Sequence, residues 1–128
     1  MPALNRVQLI GNLGKDPETR QTTTGKNVTS FSIAVNRRWR AEDGQPKEAT
    51  DWFTVDAWGR LGEICQKLLS KGRLVYVEGR LQTNRYEQDG ETRYFTRIVA
   101  SQMQILDRKA DEPEFEAEPS NFEELVMD

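Results

Sequence analysis

The sequence predicts an all-β domain, a barrel of five strands with one short helix between the third and fourth strands, followed by a short acidic C-terminal tail. Apolar and polar residues alternate over most of residues 1–107, which is the period of a half-buried strand. Helical apolar spacing occurs in one segment of these residues, directly after Trp58. From Arg108 onward, acidic residues and prolines replace this periodicity, so we expect the domain to end near Asp107 and the tail to comprise residues 108–128.

The first two strands are marked by alternation and by turn residues. The first surrounds Val7 and Leu9, and the second covers residues 27–36. The polar stretch 37–47 contains Asp43-Gly44, which is turn chemistry, and is therefore expected to form a loop.

The third strand, residues 51–58, has two unlike faces. Its core face carries Phe53, Val55 and Ala57, and its other face carries Trp52, Thr54, Asp56 and Trp58. Threonine and aspartate between the tryptophans indicate that this second face is hydrophilic, so both indoles are expected to stay exposed.

The remaining elements complete the barrel. A helix is predicted over residues 60–69 with Gly72 as its C-terminal cap, followed by a strand over 74–86 that bends at Gly79. Asp89-Gly90 predicts a hairpin turn before a last strand over 93–106. This order of elements is that of an OB-fold, a frequent platform for oligonucleotides.

Composition excludes several classes of enzyme. The 128 residues include one cysteine and no histidine. Ser-His-Asp or Cys-His catalysis and a Cys/His zinc site therefore cannot be assembled. We expect no enzyme activity, no cofactor and no metal. A single cysteine and no apolar run near 18 residues predict a cytoplasmic chain without a membrane segment.

The net charge of −3 conceals two regions of opposite sign. Residues 1–107 carry 16 basic and 13 acidic residues, whereas residues 108–128 carry 2 and 8. The body is therefore mildly basic and suits an anionic partner.

Four aromatic residues are candidates for stacking on nucleobases: Trp39, Trp52, Trp58 and Tyr86. In OB-fold proteins, stacking of one base on an aromatic ring contributes roughly 1–3 kcal/mol without reading sequence. Basic residues near them in the sequence, or elsewhere in the body, are candidates for phosphate contacts: Arg6, Arg20, Arg37, Arg38, Arg40, Lys47, Arg60, Lys71, Arg73, Arg85 and Arg93, with Arg97 as a further candidate.

The tail is a candidate docking segment. Phe122, Leu125 and Val126 would share one face of a helix, and an acidic amphipathic segment could bind a basic groove on another protein. A disordered, solubilising tail is the alternative.

Several ordered segments resemble the bacterial single-stranded DNA-binding protein (SSB) family: residues 5–7, 11–20, 31–36, 51–53, 59–63 and 71–79. The resemblance covers about residues 4–107. It implies an OB-fold that usually forms a homotetramer and protects single-stranded DNA in replication, recombination and repair in the bacterial cytoplasm, associated with the nucleoid. The family's stacking residues fall on the same four aromatics, and its DNA path implies Arg6, Arg20, Arg40, Lys47, Arg60, Lys71, Arg85 and Arg93. Family members usually end in Pro-Phe and recruit replication and repair proteins there, whereas this chain ends Val126-Met127-Asp128.

Two alternatives to single-stranded DNA binding remain open at this point. One is an RNA-binding OB-fold protein of the cold-shock type, although the clustered aromatics of that type are not evident. The other is an interaction adaptor whose exposed tryptophans contact protein and which does not bind nucleic acid.

Overall fold

Six strands and one helix make up residues 3–107, the part of the chain that this computed structural model describes. In chain order they are β1 (Val7–Leu13), β2 (Glu18–Gln21), β3 (Asn27–Arg40), β4 (Pro46–Trp58), α1 (Gly59–Leu68), β5 (Leu74–Gln88) and β6 (Glu91–Ile105).

Five of these strands close into a barrel. The order is β1-β5-β6-β4-β3, and a short pairing between β1 and β3 joins the two ends. All pairings are antiparallel except that of β4 with β6, which is limited to Val55↔Ile98 and Asp56↔Val99. The predicted all-β barrel, with its helix between the third and fourth barrel strands, is confirmed. β2 was not predicted, because its four residues are all exposed and therefore show no alternation.

The core lies inside the barrel and under the helix. Val55 and Ala57 of β4 are fully buried, as are Val75 and Val77 of β5. The apolar stripe expected for the helix from its spacing comprises Leu61, Ile64, Cys65, Leu68 and Leu69. All five pack against the core, with Leu68 only partly buried.

The helix boundaries differ slightly from the expectation. The helix begins at Gly59 and ends at Leu68, and the backbone N–H of Leu69 donates to the carbonyl of Cys65 as the cap. Gly72 was therefore wrongly predicted as the cap. It lies in the following turn, where its positive φ of 91° favours glycine and its backbone N–H donates to the carbonyl of Leu13.

Two long hairpins extend beyond the barrel. The loop predicted over residues 37–47 is too long: β3 and β4 pair without interruption from Val28↔Trp58 to Arg40↔Pro46. The turn expected at Asp43-Gly44 is confirmed, but it is confined to residues 41–45. The second hairpin joins β5 to β6 through Asp89-Gly90, whose positive φ angles of 54° and 78° fit the predicted two-residue turn. Its register shifts between Glu78 and Gly79, which confirms the predicted bend. We call residues 37–50 the β3–β4 arm and residues 83–96 the β5–β6 arm.

Candidate nucleic-acid interface

The hydrophilic face of β4 leaves both of its tryptophans exposed. Trp52 is 60% and Trp58 40% exposed, and the alternating side chains between them on this face are those of Thr54 and Asp56. The predicted exposure of the two indoles is confirmed. The edge of the Trp52 ring lies against Gly14, where the absence of a side chain leaves room for it.

Trp39 lies on the opposite face of the β3–β4 arm. Its cross-strand partner is Lys47, whereas Trp52 is paired with Ala34, and the alternation of the strands therefore separates the two indoles. Trp39 is 44% exposed, and the guanidinium of Arg37 lies 5.0 Å from its ring centre. Arg37 also donates to Asp51 at 2.8 Å, which holds the cation over the ring.

Tyr86 is exposed on the β5–β6 arm and has an aromatic neighbour that sequence reasoning missed. Its cross-strand partner is Arg93, and the next residue on the same face of β6 is Phe95, which is 43% exposed. The guanidinium of Arg97 lies 5.3 Å from the Phe95 ring centre. The two-residue turn at Asp89-Gly90 determines this register, so the sequence did contain the signal that would have placed Phe95 beside Tyr86.

An ion pair joins β4 to β6 beside their parallel pairing in the barrel. Arg97 donates from Nε to Oδ2 of Asp56 at 2.6 Å and from Nη2 to Oδ1 at 2.7 Å, and Ser30 donates to Oδ1 at 2.6 Å. Burial alone would raise the pKa of Asp56, but the hydrogen bonds from Arg97 and Ser30 outweigh it, so the pKa is lowered. These partners allow the carboxylate of Asp56 to stay ionised while buried, although Asp56 belongs to the hydrophilic face of β4.

This ion pair lies in a recess beside Trp58. The recess is lined by Arg20, Asp56, Trp58, Gln82, Asn84 and Arg97. A second recess lies at the end of the β3–β4 arm and is lined by Arg38, Trp39, Arg40, Pro46, Lys47 and Glu48.

Ten of the eleven basic residues proposed as phosphate contacts are exposed: Arg6, Arg20, Arg37, Arg38, Arg40, Lys47, Arg60, Lys71, Arg85 and Arg93. Some already contact carboxylates, for example Arg6 with Glu78 and Arg38 with Glu48. Arg85 is paired with Tyr94, so it lies on the face of the β5–β6 arm opposite Tyr86.

Arg73 is the exception among the proposed contacts. Its side chain is only 7% exposed, and its Nη1 donates to the backbone carbonyl of Asp107 at 3.3 Å. This burial assigns Arg73 to holding the last described residues against the barrel, and the position leaves no surface for a phosphate.

Several expected absences concern only the described residues. Residues 3–107 contain no cluster of three or more potential metal ligands. No helix in the same range is long and apolar enough to cross a membrane. Phe122, Leu125 and Val126 of the predicted docking segment lie outside the described residues.

Comparisons with known proteins agree on one family. Residues 4–106 match the model of the single-strand binding protein family. Single-stranded DNA-binding protein 1 of Chlorobaculum tepidum is 44% identical over 108 residues, which cover 83% of this chain and 67% of that protein. The single-stranded DNA-binding protein of Xanthomonas axonopodis pv. citri is 45% identical over 104 residues, covering 80% of this chain and 58% of that protein. The matches thus span about three fifths to two thirds of these relatives.

Solved structures show the same architecture. A Plasmodium falciparum SSB, determined in complex with single-stranded DNA, superposes with a TM-score of 0.78 at 31% identity and covers 84% of this chain and 98% of that one. A deletion mutant of the single-stranded DNA-binding protein from Thermus aquaticus superposes with a TM-score of 0.73 at 35% identity, covering 81% of this chain and 51% of that one.

Proposed function

Because the chain belongs to the single-strand binding protein family, we propose that it binds and protects single-stranded DNA, largely without reading sequence and without catalysing a reaction. The observation that carries this proposal is the exposure of Trp52 and Trp58 on the hydrophilic face of β4. Exposed aromatic rings on the surface of an OB-fold are platforms on which nucleobases stack, and these two share one face of β4 with Thr54 and Asp56. An unpaired nucleobase offers such a ring a matching face, whereas the bases of a duplex are already stacked on one another.

Binding combines two kinds of contact. Nucleobases stack on Trp39, Trp52, Trp58 and Tyr86, each worth roughly 1–3 kcal/mol in OB-fold proteins of this kind. Phosphates contact the exposed basic residues, and the release of counterions makes the affinity depend on salt. Phe95 joins the stacking residues because it shares the face of Tyr86, and Arg73 is left out because it is buried.

The placement of the tryptophans suggests a path for the single-stranded DNA. β4 pairs with β6 only at Val55 and Asp56, so its edge from residue 46 to residue 54 is unpaired within the described chain. A DNA strand whose bases stack on both Trp52 and Trp39 passes over this edge of β4, from one face of the β3–β4 hairpin to the other. The basic residues of the arm lie on both faces and can follow it.

Titration with oligo-dT tests this function. We expect strong quenching of tryptophan fluorescence and a log–log dependence of affinity on salt with a slope of about −0.7 for each phosphate contacted. A duplex of equal length should bind much more weakly, and an RNA oligomer separates DNA binding from the cold-shock alternative. Absence of quenching and of binding would leave the protein-interaction adaptor.

Assembly as a homotetramer is part of the proposal. β1 pairs with β5 along residues 7–12 but with β3 only at residues 12–13, so among residues 3–107 no strand covers the other edge of residues 7–11. Ile10 lies on this strand and is 55% exposed. An unpaired edge beside an exposed apolar side chain favours contact with another copy. Molar mass in solution tests this, since a tetramer has four times the 14.8 kDa of one chain.

The cellular role is a proposal of the same kind. We place the protein on single-stranded DNA in the bacterial cytoplasm, associated with the nucleoid, during replication, recombination and repair. Recruitment of replication and repair proteins by the tail remains a prediction for residues outside the described part of the chain.

A further inference from the structure

The recess beside Trp58 differs from the rest of the proposed interface in its chemistry. Besides the indole, it is lined by two amides, Gln82 and Asn84, and by charged groups. The two amides are two residues apart on β5 and therefore share a face. Among residues 3–107, neither side-chain amide forms a hydrogen bond with another residue. Both are exposed and available to a ligand.

The charges at the base of the recess largely cancel. Asp56 and Arg97 are joined by two hydrogen bonds of 2.6 and 2.7 Å, and their side chains are only 8% and 22% exposed. A phosphate placed there would meet a carboxylate that remains ionised and a guanidinium that is already paired. The bottom of the recess therefore favours a neutral polar group over an anion. Arg20 adds a positive charge at the side of the recess.

An amide side chain matches the Watson–Crick edge of every base. It presents one donor and one acceptor side by side, and rotation about its last bond exchanges the two. Each unpaired base also presents an adjacent donor and acceptor: N6–H and N1 in adenine, N4–H and N3 in cytosine, N1–H and O6 in guanine, N3–H and O4 in thymine. Amides therefore hydrogen-bond any base whose edge is free, and a base in a duplex has no free edge.

We propose that this recess holds one nucleobase against Trp58, with Gln82 and Asn84 bonded to its Watson–Crick edge. The recess thus selects for unpaired bases while tolerating all four of them. This inference rests on the proposed single-stranded DNA binding and adds a site that senses base pairing through hydrogen bonds rather than through stacking.

Oligonucleotides of N3-methylthymidine test the proposal. The methyl group removes the N3–H donor but keeps the ring face and the phosphates. We expect the native protein to bind this oligomer more weakly than oligo-dT of equal length and salt, by roughly 2- to 10-fold for one or two lost hydrogen bonds. The ratio of the two dissociation constants is the quantity to follow.

Variants test whether the ratio of the two dissociation constants arises from contacts in the recess. The double variant Gln82→Ala with Asn84→Ala should bring it close to one. Thr83→Ala is the matched control, because Thr83 lies between the two amides but on the opposite face, where it is paired with Thr96. It should keep the native ratio.

Two outcomes would overturn the proposal: a ratio of one in the native protein, or an unchanged ratio in the double variant. Failure of the native protein to bind oligo-dT would instead refute the proposed function itself. Thermal unfolding of each variant verifies that the fold is retained.

Discussion

The indole of Trp52 occupies the space that Gly14 leaves by having no side chain. A Cβ atom at Gly14 would lie 2.4 Å from Cζ3 and 2.8 Å from Cη2 of the ring. Gly14 donates its backbone N–H to the carbonyl of Ser32, so the segment that supports the ring is itself held to β3. The contact fixes one edge of the indole while the side chain stays 60% exposed. Gly14 therefore positions a proposed stacking residue.

The variant Gly14→Ala should displace the Trp52 ring. The φ of Gly14 is not positive, so alanine is strained there only by its contact with the indole. We expect affinity for oligo-dT to fall by up to about 1–3 kcal/mol, the value of one base stacked on an aromatic ring in OB-fold proteins. Fluorescence titration at fixed salt measures the loss.

A double-mutant cycle isolates this effect. In a Trp52→Ala background the ring is gone, so Gly14→Ala should change affinity little. An equal loss in both backgrounds would show that Gly14 acts on binding by another route.

The pair of Asp56 and Arg97 should make stability depend on pH. Because the pKa of Asp56 is lowered in the folded state, its stabilising contribution is present above the ordinary value of 3.8 and is lost as pH falls through the folded-state pKa. Asp56→Asn should reduce the free energy of unfolding by about 2 kcal/mol at pH 7, from the loss of hydrogen bonds to a charged group. The difference between native protein and variant should shrink below pH 3.8. Urea unfolding at several pH values measures it.

The ion pair of Arg37 and Asp51 is the control for this experiment. Its 2.8 Å distance is similar, but the two side chains are 57% and 42% exposed. Exposed pairs contribute only about 0–1 kcal/mol. Asp51→Asn should therefore destabilise the protein less than Asp56→Asn does, and equal effects would contradict the role of burial.

Phe95 should contribute to binding, whereas its neighbour Tyr94 should not. Phe95 lies on the face of the β5–β6 arm that carries Tyr86, while the more exposed Tyr94 lies on the other face, opposite Arg85. We expect Phe95→Ala to weaken binding of oligo-dT by roughly 1–3 kcal/mol if a base stacks on the ring, as in other OB-fold proteins. Tyr94→Ala serves as the matched control, and a larger loss there would assign the DNA to the opposite face.

The sequence predicts the barrel well because its strands are buried on one side. Phe31 and Ile33 on β3, and Val55 and Ala57 on β4, repeat with the period of two that burial imposes. The same alternation also predicts the hydrophilic face of Trp52 and Trp58.

The two arms are harder to predict because they have no buried face. Residues 37–40 and 46–50 pair only with each other, and their backbone hydrogen bonds require no apolar alternation. Without the register of this arm, Trp39 could not be assigned to the face opposite Trp52. The ion pair of Asp56 with Arg97 depends on the parallel contact of β4 with β6, which joins residues about 40 positions apart. The sequence around either residue therefore carries no pattern that predicts the pair.

Cys65 should be unreactive in the folded protein. The sequence places it on the apolar stripe of the helix, and in the structure it is fully buried, which raises the pKa of its thiol to about 12. The thiolate is the reactive form of cysteine, and with this pKa almost no thiolate is present at pH 8. The buried sulfur is also out of reach of a reagent in solution. We expect negligible labelling by a thiol-specific alkylating reagent in native buffer and labelling of one thiol per chain in denaturant.

The double variant Cys65→Ala with Thr23→Cys provides the comparison, since Thr23 is exposed and a cysteine at that position should react in native buffer. Rapid native labelling of Cys65 would show that α1 leaves the barrel readily and would contradict this prediction.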